Sequence, residues 1–156
     1  MNTPVFRLRT FSMVVITMLF SASLTFADDT PINSDKPFAE AHIVLQLGDD
    51  DPKVQARVIS VANNLIKHYG GPDFVDIEIV AYGPGLSLLF PSNPNRARVS
   101  SLLVNEVKFI GCMNTVETMT RTTGKKPELI TETIPVKTGV AHLVERAGQG
   151  YVVIRP

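Results

Sequence analysis

Short apolar runs with little polar alternation recur along the chain after residue 42. Glycine, proline, asparagine or aspartate flanks most of these runs, and such residues mark the ends of strands. An apolar run without alternation is typical of a strand that is buried on both faces of a sheet. The strands predicted in this way cover residues 43–47, 77–82, 107–112, 131–136 and 151–154.

Between these runs the apolar residues recur at helical spacing. The clearest case lies between Asp51, a good N-cap followed by Pro52, and the helix-stopping Gly70. Further helices are predicted at residues 95–103, 114–122 and 139–147, with Asn95, Asn114 and Thr138 as their capping residues. Strands that alternate with helices predict an α/β fold, in which helices cover both faces of a parallel sheet.

The first residues have the features of a secretory signal peptide. Arg7 and Arg9 precede an apolar stretch at residues 11–20, and small residues suited to cleavage end at Ala27. We therefore predict a signal peptide at residues 1–27, export to the periplasm, and no membrane association after cleavage. An uncleaved membrane anchor is the alternative. Residues 28–41 are polar and proline-containing, and are predicted to form a flexible N-terminal arm.

Charge and cysteine content narrow the possible functions. The chain has 15 basic and 15 acidic residues. The leader contains Arg7 and Arg9 but no acid, so the remaining chain is weakly acidic, and nothing indicates nucleic-acid binding. A single cysteine excludes an internal disulfide, so packing must supply the stability of the one domain that this length allows.

That cysteine, Cys112, lies between the predicted third strand and the helix that follows it. Backbone N–H groups and the positive end of the helix dipole favour a thiolate at such a junction. The glycine turn Gly83-Pro84-Gly85 and the acidic residues 49–51 also follow strands. Because the carboxyl ends of parallel strands meet at one edge of a sheet, we expect these three segments to lie together.

The residues alone leave the role of Cys112 open. It is either a functional thiol or a small buried residue at the end of a core strand. The glycine turn could contact an anion or be an ordinary tight turn. His42, His68 and His142 lie in separate segments without metal-ligand spacing, so no metal site is predicted, and they are expected to be surface or partly packed residues.

Four segments resemble the DsrE/DsrF-like family of sulfur-oxidation and sulfur-relay proteins, in particular its small exported branch. The most specific elements are Ala81-Tyr82-Gly83-Pro84-Gly85 and Cys112-Met113-Asn114-Thr115. The resemblance covers essentially all of residues 42–156 and includes segments 43–52, 78–86, 107–115 and 150–156. It implies a three-layer α/β/α sandwich around a five-stranded, mainly parallel sheet, and assembly into homotrimers or hexamers.

In the sulfur-relay members of that family, a cysteine after the third strand carries a persulfide, and Cys112 corresponds to it. The resemblance therefore implies a sulfur carrier, at most a weak transferase, that exchanges sulfur with thiol or persulfide donor and acceptor proteins. The relay members work in the cytoplasm, and the predicted signal peptide places this chain in the periplasm. The resemblance assigns the reactive role to Cys112 alone. Our own hypothesis adds that backbone N–H groups near Asn114 and Thr115 stabilise the anion, and that the turn of Gly83 and Gly85 leaves room for the extra sulfur. Neither a metal nor an organic cofactor is expected. The alternatives are a ligand-binding or assembly module with a structural cysteine, and a redox-sensing thiol.

Overall fold

The computed structural model describes residues 36–156, so the predicted signal peptide lies outside the described residues. Five parallel strands form one sheet in the order β4-β3-β2-β1-β5. This confirms the predicted α/β fold with a five-stranded parallel sheet. The strands are β1 (Ala41–Leu47), β2 (Val75–Ala81), β3 (Lys108–Cys112), β4 (Thr133–Val136) and β5 (Val152–Ile154).

Helices connect successive strands and form the outer layers of the sandwich. Asp51 caps the first of them as predicted, because its carboxylate accepts the N–H of Lys53 at 2.8 Å. Two 3₁₀ segments, Pro72–Phe74 and Gly83–Leu89, flank β2. The α-helices of the described region are α1 (Pro52–His68), α2 (Arg96–Val104), α3 (Met113–Thr123) and α4 (Gly139–Gly148).

The two faces of the sheet are covered unequally. On one face, α1, α2, α3 and the Gly83–Leu89 segment pack on the larger core, which includes Leu45, Ile77 and Phe109. On the other face, α4 contributes Leu143 to a smaller cluster. The strand order explains the difference, because right-handed crossovers keep one face from β1 to β4 and change face when the chain returns to pair β5 with β1.

The central strand β2 is buried along its whole length. Its alternate residues Ile77 and Ile79 belong to the larger core. Asp76 and Glu78 point to the opposite face, that of α4, and both are fully buried. A strand that reads as apolar therefore carries two buried acids on one side.

The end of the predicted N-terminal arm is attached to the sheet. Lys36 Nζ donates to the carbonyls of Pro72 and Val75, at 2.8 and 3.3 Å, and pairs with Glu106 at 3.3 Å. The N–H of Glu40 donates to Phe74 O at 2.8 Å. Residues 36–40 therefore dock beside the start of β2.

No helix within residues 36–156 combines the length and the apolar character that crossing a bilayer requires.

Gly85 packs against the end of β1 so closely that it leaves no room for a side chain. A Cβ at Gly85 would lie 2.5 Å from Leu47 O and 2.9 Å from Asp49 N, and both of these are backbone atoms that cannot rotate away. This contact brings the Gly83–Leu89 segment against the β1–α1 loop. The role of Gly85 in the fold is therefore close packing at the carboxyl edge.

We predict that Gly85→Ala destabilises the protein by about 1–3 kcal/mol, because the added methyl forces the two backbones apart. The measurement is the free energy of unfolding from denaturant titration. Gly148→Ala is the matched control, since a Cβ at that helical glycine meets nothing within 4 Å. We expect the control to be neutral or stabilising by less than about 1 kcal/mol. Equal midpoints for both variants would contradict this account of Gly85.

Candidate functional site

Cys112 is the last residue of β3 and the N-cap of α3. β3 lies between β2 and β4, and the register pairs Cys112 with Val136. Strand alternation turns Cys112, like Ile110, toward the face that carries α4. Only 5% of the residue is exposed. The predicted strand-to-helix junction is confirmed, and its thiol is buried beneath the carboxyl edge of the sheet.

Asn114 has a different role from the predicted one. It was expected to cap its own helix, but α3 already begins at Met113. Its N–H donates to Lys137 O at 3.0 Å, and its side-chain amide donates to Thr138 Oγ1 at 2.9 Å. Thr138 is the N-cap residue of α4. Asn114 therefore joins the N-terminus of α3 to that of α4.

The thiol consequently lies where two helix N-termini meet. A Cβ built on Gly139, the first residue of α4, would lie 3.3 Å from Cys112 Cβ, so the start of α4 packs directly on the cysteine. Neither N-cap side chain hydrogen-bonds to its own helix. The first-turn N–H groups of a helix have no partner within it and carry partial positive charge. Both helices therefore direct positive potential at one sulfur.

The surroundings of the sulfur have opposing effects on its ionisation. Burial raises the pKa of Cys112, but the Thr115 hydroxyl and the N–H groups of Gly139, Thr115 and Asn114 favour the thiolate. The hydrogen bonds outweigh the burial, and the pKa of Cys112 is lowered below its usual value. In the thiol form, the S–H group donates a weak hydrogen bond to Lys137 O, and the sulfur lies 4.0 Å from that oxygen. The site favours the nucleophilic form of sulfur.

Thr115 connects the cysteine to the glycine turn. Its Oγ1 accepts the N–H of Gly83 at 2.9 Å, which leaves the hydroxyl hydrogen to donate elsewhere. Gly83 has a φ of 52°, in the left-handed region that favours glycine. The structure therefore brings Cys112, Gly83 and Thr115 together, as expected from the rule that parallel strands end at one edge of the sheet. Gly85 instead packs on the end of β1.

A cleft of about 660 Å³ lies beside this cluster. Gly83, Asn114 and Thr115 are in its wall, whereas Cys112 and Gly85 are not among its lining residues. Thr115 therefore touches both the cleft and the sulfur. The remaining lining residues are Asp50, Pro84, Ser87, Phe90, Thr118 and Met119, so none of the described residues in the wall is basic.

A second polar cluster lies under α4 and was missed by the sequence analysis. Glu78 Oε2 is 2.7 Å from His142 Nε2 and 3.1 Å from Arg146 Nε, and Glu78 Oε1 is 2.6 Å from an Arg146 amino group. The Tyr151 hydroxyl donates to Asp76 Oδ2 at 2.6 Å. The sequence signal was present, since two acids two residues apart interrupt the apolar run of β2.

Contacts in this cluster shift the pKa values of Arg146 and Tyr151. Burial lowers the pKa of Arg146, but its bonds to Glu78 outweigh that effect and raise it overall. Burial raises the pKa of Tyr151, and the hydrogen bond to Asp76 adds to the rise. The guanidinium of Arg146 lies over the Tyr151 ring at 5.0 Å. Arg146 therefore stays charged and Tyr151 stays neutral throughout the physiological range.

Metal binding finds no support among residues 36–156, since no three His, Cys, Asp or Glu side chains are grouped to hold an ion. His142 is the partner of Glu78, and its side chain is 13% exposed. His42 and His68 pack edge-on against Tyr151 and Tyr69. The expectation that the histidines are surface or partly packed residues agrees with these positions.

The fold and the site together define a three-layer α/β/α protein with a lone thiol at the carboxyl edge of its sheet. No family model matches the chain, and no curated protein matches it. A solved structure is similar to it, that of MTH1491 from Methanobacterium thermoautotrophicum, a protein of unknown function. The match has a TM-score of 0.66 and 30% sequence identity, and covers 75% of this chain and 100% of MTH1491. This chain therefore belongs to the same family as MTH1491.

We predict that Thr115→Val raises the pKa of Cys112, because the variant keeps the shape of the side chain and loses the hydroxyl that stabilises the thiolate. At neutral pH the thiolate fraction falls and alkylation slows several-fold. The measurement is the rate of iodoacetamide labelling against pH, read by intact mass. Thr122→Val is the matched control, since its hydroxyl hydrogen-bonds to Thr118 O within α3 and the residue lies outside the cleft. An unchanged labelling profile in Thr115→Val would show that the hydroxyl does not act on the sulfur.

Proposed function

We propose that this protein is a sulfur carrier that holds a persulfide on Cys112. The observation that carries the proposal is the position of the sulfur between the N-termini of α3 and α4, where hydrogen bonds lower the pKa of Cys112 despite its burial. The resemblance to the DsrE/DsrF-like family supports the same chemistry, because a cysteine after the third strand carries sulfur in its relay members.

The proposed loading step is a simple displacement. The Cys112 thiolate attacks the outer sulfur of a donor persulfide, R–S–SH. The donor S–S bond breaks as the new S–S bond forms, and the donor leaves as R–S⁻ while the proton stays on the transferred sulfur. Unloading repeats the step, with an acceptor thiolate attacking the outer sulfur and Cys112 leaving as thiolate. No net oxidation or reduction occurs in either step.

The cleft indicates the charge of a suitable donor. None of the described residues in its wall is basic, and Asp50 brings a carboxylate to it. Phe90 and Met119 add apolar surface. A dianion such as thiosulfate finds no cation there, whereas a persulfide on a small thiol or on a partner protein needs none. We therefore propose thiol persulfides as the donor class.

The setting of this activity is also part of the proposal. The leader at residues 1–27 supports export to the periplasm, and the family resemblance supports a homotrimer or hexamer. In that compartment a lone thiol has no partner within its own chain. Burial of Cys112 would then limit its oxidation and its exchange with the disulfides of other proteins.

The second candidate is a binding or assembly module in which Cys112 only fills space. The 5% exposure of the residue favours it, because most buried cysteines behave as small apolar side chains. The two functions predict opposite reactivity. A carrier cysteine reacts in the folded protein, whereas a packing cysteine reacts only after unfolding.

We predict that the folded protein is alkylated at Cys112 with an apparent pKa below that of a free thiol, and that a small-molecule persulfide adds 32 Da, the mass of one sulfur. Cys112→Ser should lose the added sulfur while the fold is kept, because serine is close to cysteine in size. The measurements are intact mass after donor treatment and circular dichroism. Labelling confined to the denatured protein would establish the packing role and overturn the carrier.

A control for donor class uses the same readout. Thiosulfate, offered at the same concentration as a cysteine persulfide, should load poorly. An Asp50→Lys variant should improve loading from thiosulfate, since it replaces the carboxylate at the cleft by a cation. Equal loading of the wild-type protein from both donors would contradict the proposed donor class without affecting the carrier role.

A further inference from the structure

Glu78 attaches α4 to the sheet at two points. The carboxylate is completely buried on β2 and contacts His142 in the first turn of α4 and Arg146 one turn later. The Arg146 pair uses both carboxylate oxygens, at 2.6 and 3.1 Å, in the forked geometry that fixes a guanidinium in one orientation. One side chain of the central strand therefore determines both the position and the rotation of α4.

Apolar packing alone holds α4 weakly. Gly139 and Leu143 are its only buried residues, whereas Val140 and Val144 are 51% and 68% exposed. The cluster under the helix is small and consists of Val44, Val80, Ile110, Leu143 and Tyr151. A single leucine leaves the helix free to shift or rotate, since apolar contacts are not directional. The directional bonds to Glu78 remove that freedom.

The position of α4 matters at its first residue. Gly139 packs against Cys112, and its N–H is among the groups that favour the thiolate. Gly139 lies three residues before His142, so a shift of the helix at the Glu78 contact also moves this N–H relative to the sulfur. A Cβ on Gly139 would approach Tyr82 to 3.1 Å, so the space around this residue is narrow.

We infer that Glu78 is a positioning residue for the Cys112 thiolate: through His142 and Arg146 it holds α4 so that the N–H of Gly139 faces the sulfur. This inference rests on the proposed carrier function, since it assigns the residue that keeps the reactive sulfur in place. Glu78 does not touch the sulfur or the cleft.

The desolvation free energy of the buried charged groups supports a role for them in fixing the position of α4. Placing a carboxylate, an imidazole and a guanidinium in a buried site requires desolvation that their attraction only partly recovers. Apolar side chains at the same positions would serve stability as well. What the charged set adds is a single fixed arrangement of helix and strand.

The test compares Glu78→Gln with Asp76→Asn in the otherwise unchanged mature protein. Asp76 is also fully buried on the same face of β2. It hydrogen-bonds to Tyr151 and Lys108, which lie outside α4, and makes no hydrogen bond to Arg146, on which only its charge acts among the contacts shown. We expect both variants to unfold at lower denaturant concentration. Only Glu78→Gln should slow alkylation of Cys112 at neutral pH several-fold, shift its pH profile upward and reduce persulfide loading.

A second readout observes the helix directly. In wild-type protein the amide resonance of Gly139 should move as Cys112 ionises, followed by NMR from acidic through neutral to mildly alkaline pH. In Glu78→Gln that movement should shrink. Should this variant fail to fold, Arg146→Lys gives the same comparison, because lysine keeps the charge but cannot form the fork, and Arg146 is 23% exposed.

The outcomes separate this inference from the carrier proposal. Wild-type labelling with a low apparent pKa, together with an unchanged profile and an unchanged Gly139 response in Glu78→Gln, would overturn the positioning role and leave the carrier intact. Equal slowing in Asp76→Asn would also overturn it, since general loosening would then explain the effect. A wild-type Cys112 that reacts only after denaturation would overturn both.

Discussion

The order in which strands join the sheet reverses after β4, and this change determines which elements surround the cysteine. Until that point each connection passes over the same face, and three helices accumulate there. The return to pair β5 with β1 sends α4 to the opposite face. Because α4 starts beside β3, its N-terminus meets that of α3 at the end of the third strand. The electrostatic surroundings of Cys112 therefore arise from topology.

Two opposing effects on the pKa of Cys112 explain how a buried cysteine can still favour the thiolate. Removal from water disfavours an anion, and a buried cysteine is ordinarily less acidic. Here the loss of water is offset by the Thr115 hydroxyl and by backbone N–H groups that the packed helix ends hold near the sulfur. The two effects come from the same packed elements, so the hydroxyl, the helix ends and the burial cannot be adjusted independently.

The sequence predicted correctly those features that depend on residues close together along the chain, namely strand positions and the start of α1. Asp51 before Pro52 correctly indicated the start of α1, and the apolar runs located all five strands of the described sheet. The rule that strand ends share an edge brought Gly83 and Thr115 to the cysteine. The alternation of strands and helices also predicted that helices cover both faces of the sheet. These predictions succeed because capping and periodicity act over a few residues.

The failures concern contacts between residues that are distant in sequence. Asn114 matched a capping pattern, yet its amide is used 24 residues away at Thr138. No local pattern indicated that Gly85 meets the backbone of Leu47. Glu78 and Arg146 are 68 residues apart, and only the placement of α4 makes them a pair. No local pattern encodes such a meeting, although a charged residue in an apolar strand indicates that a partner must exist.

The burial of Cys112 has a consequence for how a carrier could report its own state. The empty thiol is 5% exposed and offers little to a passing protein. A persulfide extends the side chain by one S–S bond, about 2 Å, and moves the reactive atom away from the donors around Sγ. In the proposed carrier, only the loaded form would extend a sulfur toward an acceptor. Burial of the cysteine would thus make the persulfide form accessible to an acceptor protein and leave the empty form inaccessible.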